Sequence, residues 1–447
     1  MPASAEGGTD AAVRGPVRVE RVSLPDLSPA PPAPFDEQEL TLLAGLDYRE
    51  QDALAASTRL RAAGLDADRA AAVLTQAKLR GEAAAKFGPE AEHLLLTRPG
   101  LEQATRRAVA EHHAARLRAA GLGSVADLGC GLGADTLAFA RAGLCVLAVE
   151  IDPHTAACAA ANLRSFPDAR VLVGDVEQLE PGQLRCPDGG AMTALWLDPA
   201  RRESGRGRTR QRIFDPEAFS PPFSVIRRLA ATGVPMGVKM GPGMDRAAIP
   251  AEATAEWVSH GGDVVEVVLW FNALATPGVR RRATVLGPDP LVPRALHVLD
   301  SPVAAEQEPA APVGPPGAYL YEPDGAVIRS GQVRALAEAV DGHLLDERIA
   351  YVTSDDAREL DWARCWRIAA RLPLHEKTLR RWVREHGVTS LTVKKRGVDV
   401  VPERLRRRLL AGASRGPGSG GRHATLLATR WDEPGGEQRA CFVVEPV

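Results

Sequence analysis

Three glycines at alternate positions end an apolar segment that has the pattern of a buried strand. The segment spans 125–133, and Gly129, Gly131 and Gly133 close it. Glycine has no Cβ, so these residues allow a tight turn and let the backbone approach a ligand closely. A second apolar strand ends in Glu150, at the spacing where a doubly wound sheet holds the two hydroxyls of a ribose. The pattern therefore predicts a site for a nucleotide-like cofactor.

The residues of this turn argue against a dinucleotide as that cofactor. A dinucleotide fingerprint has the form Gly-x-Gly-x-x-Gly and seats a pyrophosphate on the N-terminus of the next helix. Here the glycines alternate, and Asp127 closes the preceding strand. Its carboxylate would repel a pyrophosphate but suits a ligand that carries an ammonium and a sulfonium group.

Four segments, in order along the chain, resemble the motifs of class I S-adenosylmethionine-dependent methyltransferases. The turn at 127–133 resembles the first motif, Glu150 matches the ribose-binding acid, and Asp175 matches the acid that contacts the adenine amino group. Asp198 follows the fourth strand, beside the methyl-transfer site of that family. The resemblance implies an α/β fold with a Rossmann-like seven-stranded methyltransferase sheet and S-adenosylmethionine as cofactor. The cofactor-binding residues that it implies are Asp127, Gly129, Gly131, Gly133, Glu150, Asp152 and Asp175.

The segment after the fourth strand, Asp-Pro-Ala-Arg-Arg, is the predicted catalytic loop. In families that methylate amino nitrogens this loop reads Asn/Asp-Pro-Pro-aromatic, whereas here Ala200 replaces the second proline and Arg201 replaces the aromatic residue. Asp198 can still orient or deprotonate a nucleophile, and Arg201 and Arg202 can bind a phosphate in a bidentate manner. The sequence leaves two interpretations of Trp196, a stacking ring in place of the lost aromatic residue or a core residue.

Lys239 lies near the end of the predicted fifth strand, 234–240, at the edge of the sheet where ligands bind in this fold class. We expect it to pair with Asp198 or to contact a substrate phosphate, unless it extends to solvent at the rim of the sheet. Asp198, Arg201 and Lys239 are thus the predicted catalytic residues. The basic stretch 203–212 is interpreted either as a phosphate-binding lid or as a solvated surface loop.

Composition limits the class of protein. At 447 residues the chain is long enough for two or three domains, and its net charge of −2 gives no overall signal for nucleic acid. The six cysteines form no Cys-x-x-Cys pair, which predicts a reducing compartment and no metal site. No apolar run is long enough to span a bilayer, and the N-terminus lacks the pattern of a signal segment. We therefore expect a cytoplasmic protein without membrane contact.

Shifts in composition divide the chain into five parts. The first residues are rich in Ala, Pro, Gly and Ser, a composition typical of disorder, and the next part has helical periodicity. Alternating strands and helices then predict a parallel sheet covered on both faces. The predicted parts are a disordered tail (1–36), a helical bundle (37–121), the methyltransferase domain (122–287), a linker (288–316) and a small α/β C-terminal domain (317–447).

A lysine–aromatic pair and a polar helix precede the glycine turn. Lys86 and Phe87, followed by Glu102 and Gln103, resemble the segment that closes over cofactor and substrate in the trimethylguanosine-synthase-like branch of the methyltransferases. The resemblance implies that these four residues contact the substrate. The alternative is that the polar residues only cap a helix.

The clearest basic stretch lies in the C-terminal part of the chain, between Arg371 and Arg408. It holds twelve cationic residues against four acidic ones, which favours a surface for a polyanion over an ordinary solvated helix face. This part resembles the THUMP-like domain that follows methyltransferase domains in actinobacterial proteins. THUMP domains bind RNA, so the resemblance implies RNA, typically tRNA, as a partner, with Lys394, Lys395 and Arg396 among its contacts.

Three functions stay open from the sequence. The first is an RNA methyltransferase whose C-terminal domain holds the RNA by its phosphates. The second is a small-molecule methyltransferase in which that domain forms a lid or a dimer contact. The third is a protein that binds S-adenosylmethionine or RNA without chemistry, because the loop at Asp198 departs from the family pattern.

Overall fold

The computed structural model describes residues 27–201, 216–411, 421–433 and 435–447, and its first part is helical. Asp36 and Asp66 begin two of the helices by accepting hydrogen bonds from backbone N–H groups of the first turn. The elements of this part are the short strand β1 (Ser28–Pro29) and the helices α1 (Glu37–Ala44), α2 (Ala53–Ala62), α3 (Ala67–Phe87), α4 (Arg98–Gln103) and α5 (Arg107–Ala119).

The centre of the molecule is a mixed sheet of ten strands in the order β1-β4-β3-β2-β5-β8-β10-β9-β11-β12. The strands from β4 to β8 in this order run parallel, so their carboxyl ends meet at one edge. The elements are β2 (Ser124–Leu128), α6 (Ala134–Arg141), β3 (Cys145–Glu150), α7 (Pro153–Asn162), β4 (Ala169–Val173), β5 (Leu195–Leu197), β6 (Ala200–Arg201), β7 (Phe219–Ser220), α8 (Phe223–Ala230), β8 (Met236–Met240), β9 (Thr254–His260), β10 (Asp263–Phe271), β11 (Arg281–Leu286) and β12 (Ala295–Ser301).

The sheet is larger than the seven strands that the resemblance implies. β1 pairs with β4 at one edge, although it lies in the range 1–36 predicted to be a disordered tail. At the other edge β11 pairs with β9, and β12, within the predicted linker 288–316, pairs with β11. Edge strands are short or half-exposed, so they lack the apolar pattern that marks a buried strand, and the sequence did not reveal them.

Aromatic residues fill the face of the sheet beneath α5 and α6. Trp196 and Trp270 are fully buried beside Phe139. An added Cβ at Gly237 would lie 2.6 Å from Trp270 and 2.7 Å from Trp196, so both rings pack directly on the backbone of β8. Trp196 is therefore a core residue, and the alternative of a stacking ring at the site is wrong.

The C-terminal part forms a second sheet of seven strands in the order β14-β15-β13-β16-β19-β18-β17. The first of its helices, α9, packs against β9 and β11 of the central sheet. The elements are β13 (Tyr319–Pro323), α9 (Gly325–Ser330), α10 (Val333–Ala339), β14 (His343–Asp346), β15 (Ile349–Ser354), β16 (Ala363–Pro373), α11 (Glu376–Glu385), β17 (Val388–Lys395), α12 (Pro402–Leu410), β18 (Arg422–Glu433) and β19 (Gly436–Pro446). Within the described ranges, no helix has the length and apolar character needed to cross a membrane.

Candidate active site

A cavity of about 590 Å³ lies at the carboxyl ends of β2, β3 and β5. Its volume falls in the range of sites for cofactors and other small ligands. The glycine turn after β2, the acids after β3 and β4, and the segment before α5 form its walls. The predicted site residues that line it are Gln103, Gly129, Gly131, Glu150, Asp152, Asp175 and Asp198.

The glycine turn places bare backbone against this cavity. Gly129, Gly131 and Gly133 have φ values of 92°, 55° and 83°, a region that favours glycine. Nothing lies within 4 Å of the Cβ positions of Gly129 and Gly131, while Gly133 caps α6 and does not line the cavity. The N–H groups of Gly129 and Cys130 donate to the carbonyl of Val149, at 2.8 and 3.0 Å, and tie the turn to β3.

Backbone N–H groups hold the acid at the end of β3. Oε2 of Glu150 accepts from Gly131 at 2.9 Å, and Oε1 accepts from Asp152 at 3.0 Å; each oxygen can accept a further hydrogen bond. Asp152 caps α7, because its carboxylate accepts from the N–H and the hydroxyl of Thr155, and these bonds lower its pKa. Asp175 likewise caps the helical turn that follows it while lining the cavity.

Asp127 does not line the cavity, which corrects its predicted place beside the cofactor. It lies at the end of β2, is 1 % exposed and accepts a hydrogen bond from the Thr136 hydroxyl at 2.5 Å. Burial raises its pKa to about 8, and the nearby carboxylate of Asp135 adds to that rise. Asp127 is therefore mostly neutral at pH 7, with its side chain held in the core by α6.

Asp135, in the first turn of α6, is the neighbouring acid that does line the cavity. Its Oδ2 accepts from the Thr105 hydroxyl at 2.6 Å, and its Oδ1 lies 2.8 Å from Nδ1 of His113. The other ring nitrogen of His113 lies 2.5 Å from Oε1 of Glu266. Because both ring nitrogens face carboxylate oxygens, the ring donates two hydrogen bonds and carries a positive charge.

Charge pairing in this network outweighs the cost of burial. Burial lowers the pKa of His113, but Glu266 and Asp135 together raise it to about 10. Burial likewise raises the pKa of Asp135, yet the imidazolium holds it below its usual value. These three residues were not predicted from the sequence. The partners of His113 lie 22 and 153 positions away, and no local pattern links residues at such separations.

Asp198 and Lys239 meet at the carboxyl ends of β5 and β8. The Lys239 ammonium contacts the Asp198 carboxylate and donates to the Thr105 hydroxyl at 2.9 Å. Burial lowers the pKa of Lys239, but the carboxylates of Asp198 and Asp135 outweigh it and raise that pKa above its usual value. The lysine is therefore charged, and Asp198, whose side chain is 33 % exposed, presents a compensated carboxylate to the cavity.

The loop after Asp198 is described only in part. Its first residues form β6, which pairs with β7, and Ser220 of β7 lines the cavity. The Arg201 side chain, Arg202 and the basic stretch 203–212 lie outside the described part of the chain. Their contact with a phosphate stays a prediction.

Lys86 and Phe87 support the cavity wall instead of facing the cavity, which corrects their predicted contact with substrate. Lys86 donates to three carbonyl oxygens at the end of α4, at 2.7 to 3.0 Å, and Phe87 is 3 % exposed in the core. The ammonium and the ring are thus already occupied. Gln103 lines the cavity, whereas Glu102 is exposed outside it.

Two contacts fix the helical part over the glycine turn. Asn162 bonds both backbone groups of Leu95, at 2.7 and 3.1 Å, and donates to the carbonyl of Leu132 at 3.1 Å. Gly100 packs so closely on Leu132 that an added Cβ would lie 2.6 Å from that side chain. The segment that carries Thr105 is thereby positioned as a wall of the cavity.

One group of three side chains in the described ranges has the spacing to hold a metal ion. The ligand atoms of Cys145, Cys186 and Asp188 lie within 4.8 Å of one another, at the amino end of β3, away from the cavity. Burial and the adjacent Cys186 thiol raise the pKa of Cys145 to about 12. A metal ion bound there would have to displace the proton of this thiol.

Comparison with known proteins identifies the family. Two curated relatives, from the CDC 1551 and H37Rv strains of Mycobacterium tuberculosis, are described as uncharacterized S-adenosylmethionine-dependent methyltransferases. Each is 30 % identical to this chain over 357 residues, which cover 78 % of this chain and 91 % of the relative. The chain belongs to the S-adenosylmethionine-dependent methyltransferases.

The methyltransferase shares its fold with a solved protein. A crystal structure from Porphyromonas gingivalis W83, described as a "putative methyltransferase", matches with a TM-score of 0.70 at 18 % identity and covers 92 % of this chain and 99 % of that one. Residues 363–446 match the family described as THUMP domain-like, and residues 39–83 match a Domain of unknown function (DUF8688). The α/β class, the THUMP-like domain and S-adenosylmethionine as cofactor are thus confirmed.

The THUMP-like domain of the methyltransferase divides the predicted patch at 394–396 between two faces of a sheet. Lys394 contacts the Glu322 carboxylate, and Arg396 lies 3.9 Å from it. Lys395 is exposed on the side of the sheet that α11 and α12 cover, since neighbouring strand residues point to opposite faces. The three residues therefore do not form one surface, which corrects the prediction.

A separate set of cations lies on the helical side of this domain. Four arginines of α11 and α12 pair with Glu376, Glu385 or Glu403. Five exposed cations have no ion pair with any residue that the structure describes: Lys377, Arg384, Lys395, Arg404 and Arg407. These five cations lie on α11, α12 and the adjoining strand β17.

Proposed function

We propose that the methyltransferase transfers a methyl group to RNA, such as tRNA, that its THUMP-like domain holds. The five exposed cations of α11, α12 and β17 that have no ion pair within the described ranges carry this proposal, because they belong to the same chain as the cofactor cavity. A cation without a carboxylate partner can exchange its counterion for a phosphate, which favours binding to a nucleic acid. A small acceptor would not require such a surface.

The cavity residues fit S-adenosylmethionine. Gly129 and Gly131 leave room for close approach, and Glu150 stands where the ribose hydroxyls of the cofactor would bind. Asp175, at the end of the next strand, would take the adenine amino group, and Asp135 would offer a charged carboxylate to the ammonium of the methionine part. When bound, the cofactor supplies a methyl group activated by its sulfonium.

Asp198 is the residue placed to receive the acceptor. An acceptor N–H or O–H would donate to the exposed part of its carboxylate, which orients the acceptor lone pair toward the cofactor. An acceptor that carries this N–H or O–H must lose the proton when its atom gains the methyl group, and Asp198 can accept it and pass it to solvent. Thr105 holds Lys239, and Lys239 in turn contacts the carboxylate of Asp198. Burial raises the pKa of Asp198, as suits a group that must accept a proton, and the charge of Lys239 opposes that rise.

The proposed function can be tested with tritiated S-adenosylmethionine and total RNA from a strain that lacks the protein. We expect tritium in one nucleoside of the digested RNA, and the Asp198→Ala variant should bind the cofactor but incorporate about a hundredfold less label. Label in the small-molecule fraction instead would identify a small-molecule methyltransferase. Cofactor binding without any labelled product would identify a binding protein.

The state of the cysteines favours a reducing compartment for the proposed activity. All six are free thiols. Free thiols persist in reducing compartments, whereas secreted proteins tend to pair them. We therefore place the proposed activity in the cytoplasm.

A further inference from the structure

A second cavity lies at the same edge of the central sheet as the cofactor cavity. It has a volume of about 750 Å³ and is bounded by the loop after β8, by Val264 of β10 and by α9. Lys239 of β8 pairs with Val268, so Val264 stands beyond the carboxyl end of β8. The cavity therefore opens next to the edge at which Asp198 and Lys239 lie.

Most of the charged residues in the lining of this cavity are arginines. Arg246, Arg329 and Arg396 line it, against one acidic residue in the described ranges, Asp245. The Asp245 carboxylate accepts the N–H of Ala247 at 3.0 Å and so caps the turn in which Arg246 lies. The charged groups of the lining are thus three guanidinium groups and one carboxylate.

Two of these arginines lack a carboxylate partner among the residues that the structure describes. Arg246 and Arg329 are exposed. Arg246 lies near another cation, Arg281, because both guanidinium groups lie beside Gly331, at 2.5 and 3.1 Å from its Cβ position, and the charge of Arg246 lowers the pKa of Arg281. Arg281 is itself paired with Glu308, so Arg246 gains no compensation there. An anion in the cavity would supply it.

The third arginine connects this cavity to the THUMP-like domain. Arg396 follows β17, within the matched residues 363–446, and it also lines an adjacent cavity of about 560 Å³. Arg364 and Lys394 line that adjacent cavity as well, together with the acids Glu322, Asp324 and Asp361, so its charges are balanced. The excess of cations therefore lies in the first of the two cavities, from Arg396 of the THUMP-like domain, through Arg329 on α9, to Arg246 near the edge at which Asp198 lies.

We propose that this arginine groove, Arg246, Arg329 and Arg396, binds the sugar–phosphate backbone of the acceptor strand between the THUMP-like domain and Asp198. The inference rests on the proposed function, since it presumes an RNA acceptor. Guanidinium groups bind phosphate oxygens in a bidentate manner, and a groove that leads to the catalytic edge would set which nucleotide reaches the cofactor.

The test compares the Arg246→Gln/Arg329→Gln variant with Arg59→Gln/Arg61→Gln, which removes two exposed charges from α2, outside the groove. Binding to bulk tRNA and methyl transfer are measured from low to high salt, with thermal unfolding and S-adenosylmethionine binding as folding controls. We expect the groove variant to bind tRNA about tenfold more weakly, with a salt slope lower by about two and a higher KM for RNA. The α2 variant should behave as the parent.

The outcomes separate this inference from the proposed function. If the parent protein binds and methylates RNA and the groove variant does so equally well at every salt concentration, the groove assignment is overturned while the RNA function stands. If the parent neither binds nor methylates RNA, the proposed function fails, and the groove assignment fails with it.

Discussion

His113 and Asp135 form a buried ion pair whose carboxylate also lines the cofactor cavity, with 2.8 Å between Nδ1 and Oδ1. Glu266 holds the other side of the ring, and Thr105 links Asp135 to Lys239. Removal of one partner from a buried pair leaves an uncompensated charge, at a cost of about 3–5 kcal/mol. The catalytic edge of the sheet thus depends on charge pairs that span α5, α6 and β10.

Asp135 and Asp127 should differ in their effect on cofactor affinity. Asp135→Asn removes a charge from the cavity wall, and we expect the Kd for S-adenosylmethionine to rise about tenfold or more, as for loss of a charge-assisted hydrogen bond. Asp127→Asn replaces a mostly neutral acid outside the cavity and should change that Kd by less than about threefold. Isothermal titration calorimetry measures both. The reverse order of effects would restore Asp127 as the cofactor-binding acid.

Asp127 should also give the protein an unusual pH dependence. Its pKa of about 8 lies above the ordinary value of 3.8, so between these values the folded chain keeps a proton that the unfolded chain has lost. The free energy of unfolding should therefore fall as the pH rises through this window, by up to about 1.4 kcal/mol per pH unit from this group. In urea unfolding, the stability gain of Asp127→Asn over the parent should grow from pH 5 to pH 8. A constant difference would contradict the assignment.

Lys239 should act on turnover more than on cofactor binding. Lys239→Met keeps the length of the side chain but leaves Asp198 without its cation, so the carboxylate can protonate or turn away. We expect kcat to fall about a hundredfold, with the Kd for S-adenosylmethionine changed by less than about threefold. Single-turnover and binding assays separate the two quantities. An equal loss in both would make Lys239 a structural residue only.

Gly100 and Gly81 offer a matched pair of glycine substitutions. A Cβ at Gly100 would lie 2.6 Å from Leu132 and 2.7 Å from the Thr97 hydroxyl, so Gly100→Ala should displace α4 and weaken cofactor binding. Gly81, inside α3, has nothing within 4 Å of its Cβ position, and Gly81→Ala should stabilise the protein by about 1 kcal/mol. Cofactor affinity and thermal unfolding test both variants. Equal behaviour of the two would show that α4 adjusts freely.

The sequence predicted the parts of the site that follow strand ends. Two of the alternating glycines, Gly129 and Gly131, follow an apolar strand, as do Glu150, Asp175 and Asp198. Parallel strands bring their carboxyl ends to one edge, where these residues meet at the cavity. Their roles with the cofactor stay predictions. Asp127 also lies at the end of an apolar strand, yet its side chain lies in the core. The hydrogen bond from Thr136 that holds it there cannot be predicted from the strand pattern.

Residues that act through distant partners could not be predicted. His113 looks like an ordinary polar residue of a helix, and its charge arises only from carboxylates on α6 and β10. The role of Lys86 could not be predicted for the same reason, because the carbonyl oxygens to which it donates lie at the end of another helix. The cations at 394–396 are adjacent in sequence but do not form one surface, because side chains of a strand alternate between the two faces of the sheet.

The division of the cofactor cavity between two parts of the chain bears on how such proteins can be recombined. Residues 97–105 form one wall and the strand ends form the others, whereas no described residue beyond 221 contributes to the lining. A genetic exchange at residue 121 would therefore destroy the cavity, so the helical part and the sheet must be inherited together. The C-terminal part contributes no described residue to this lining, although it shares a hydrophobic core with the central sheet. Under the proposed function, an exchange of the THUMP-like domain that preserves this core should keep the cavity and change which acceptor is held.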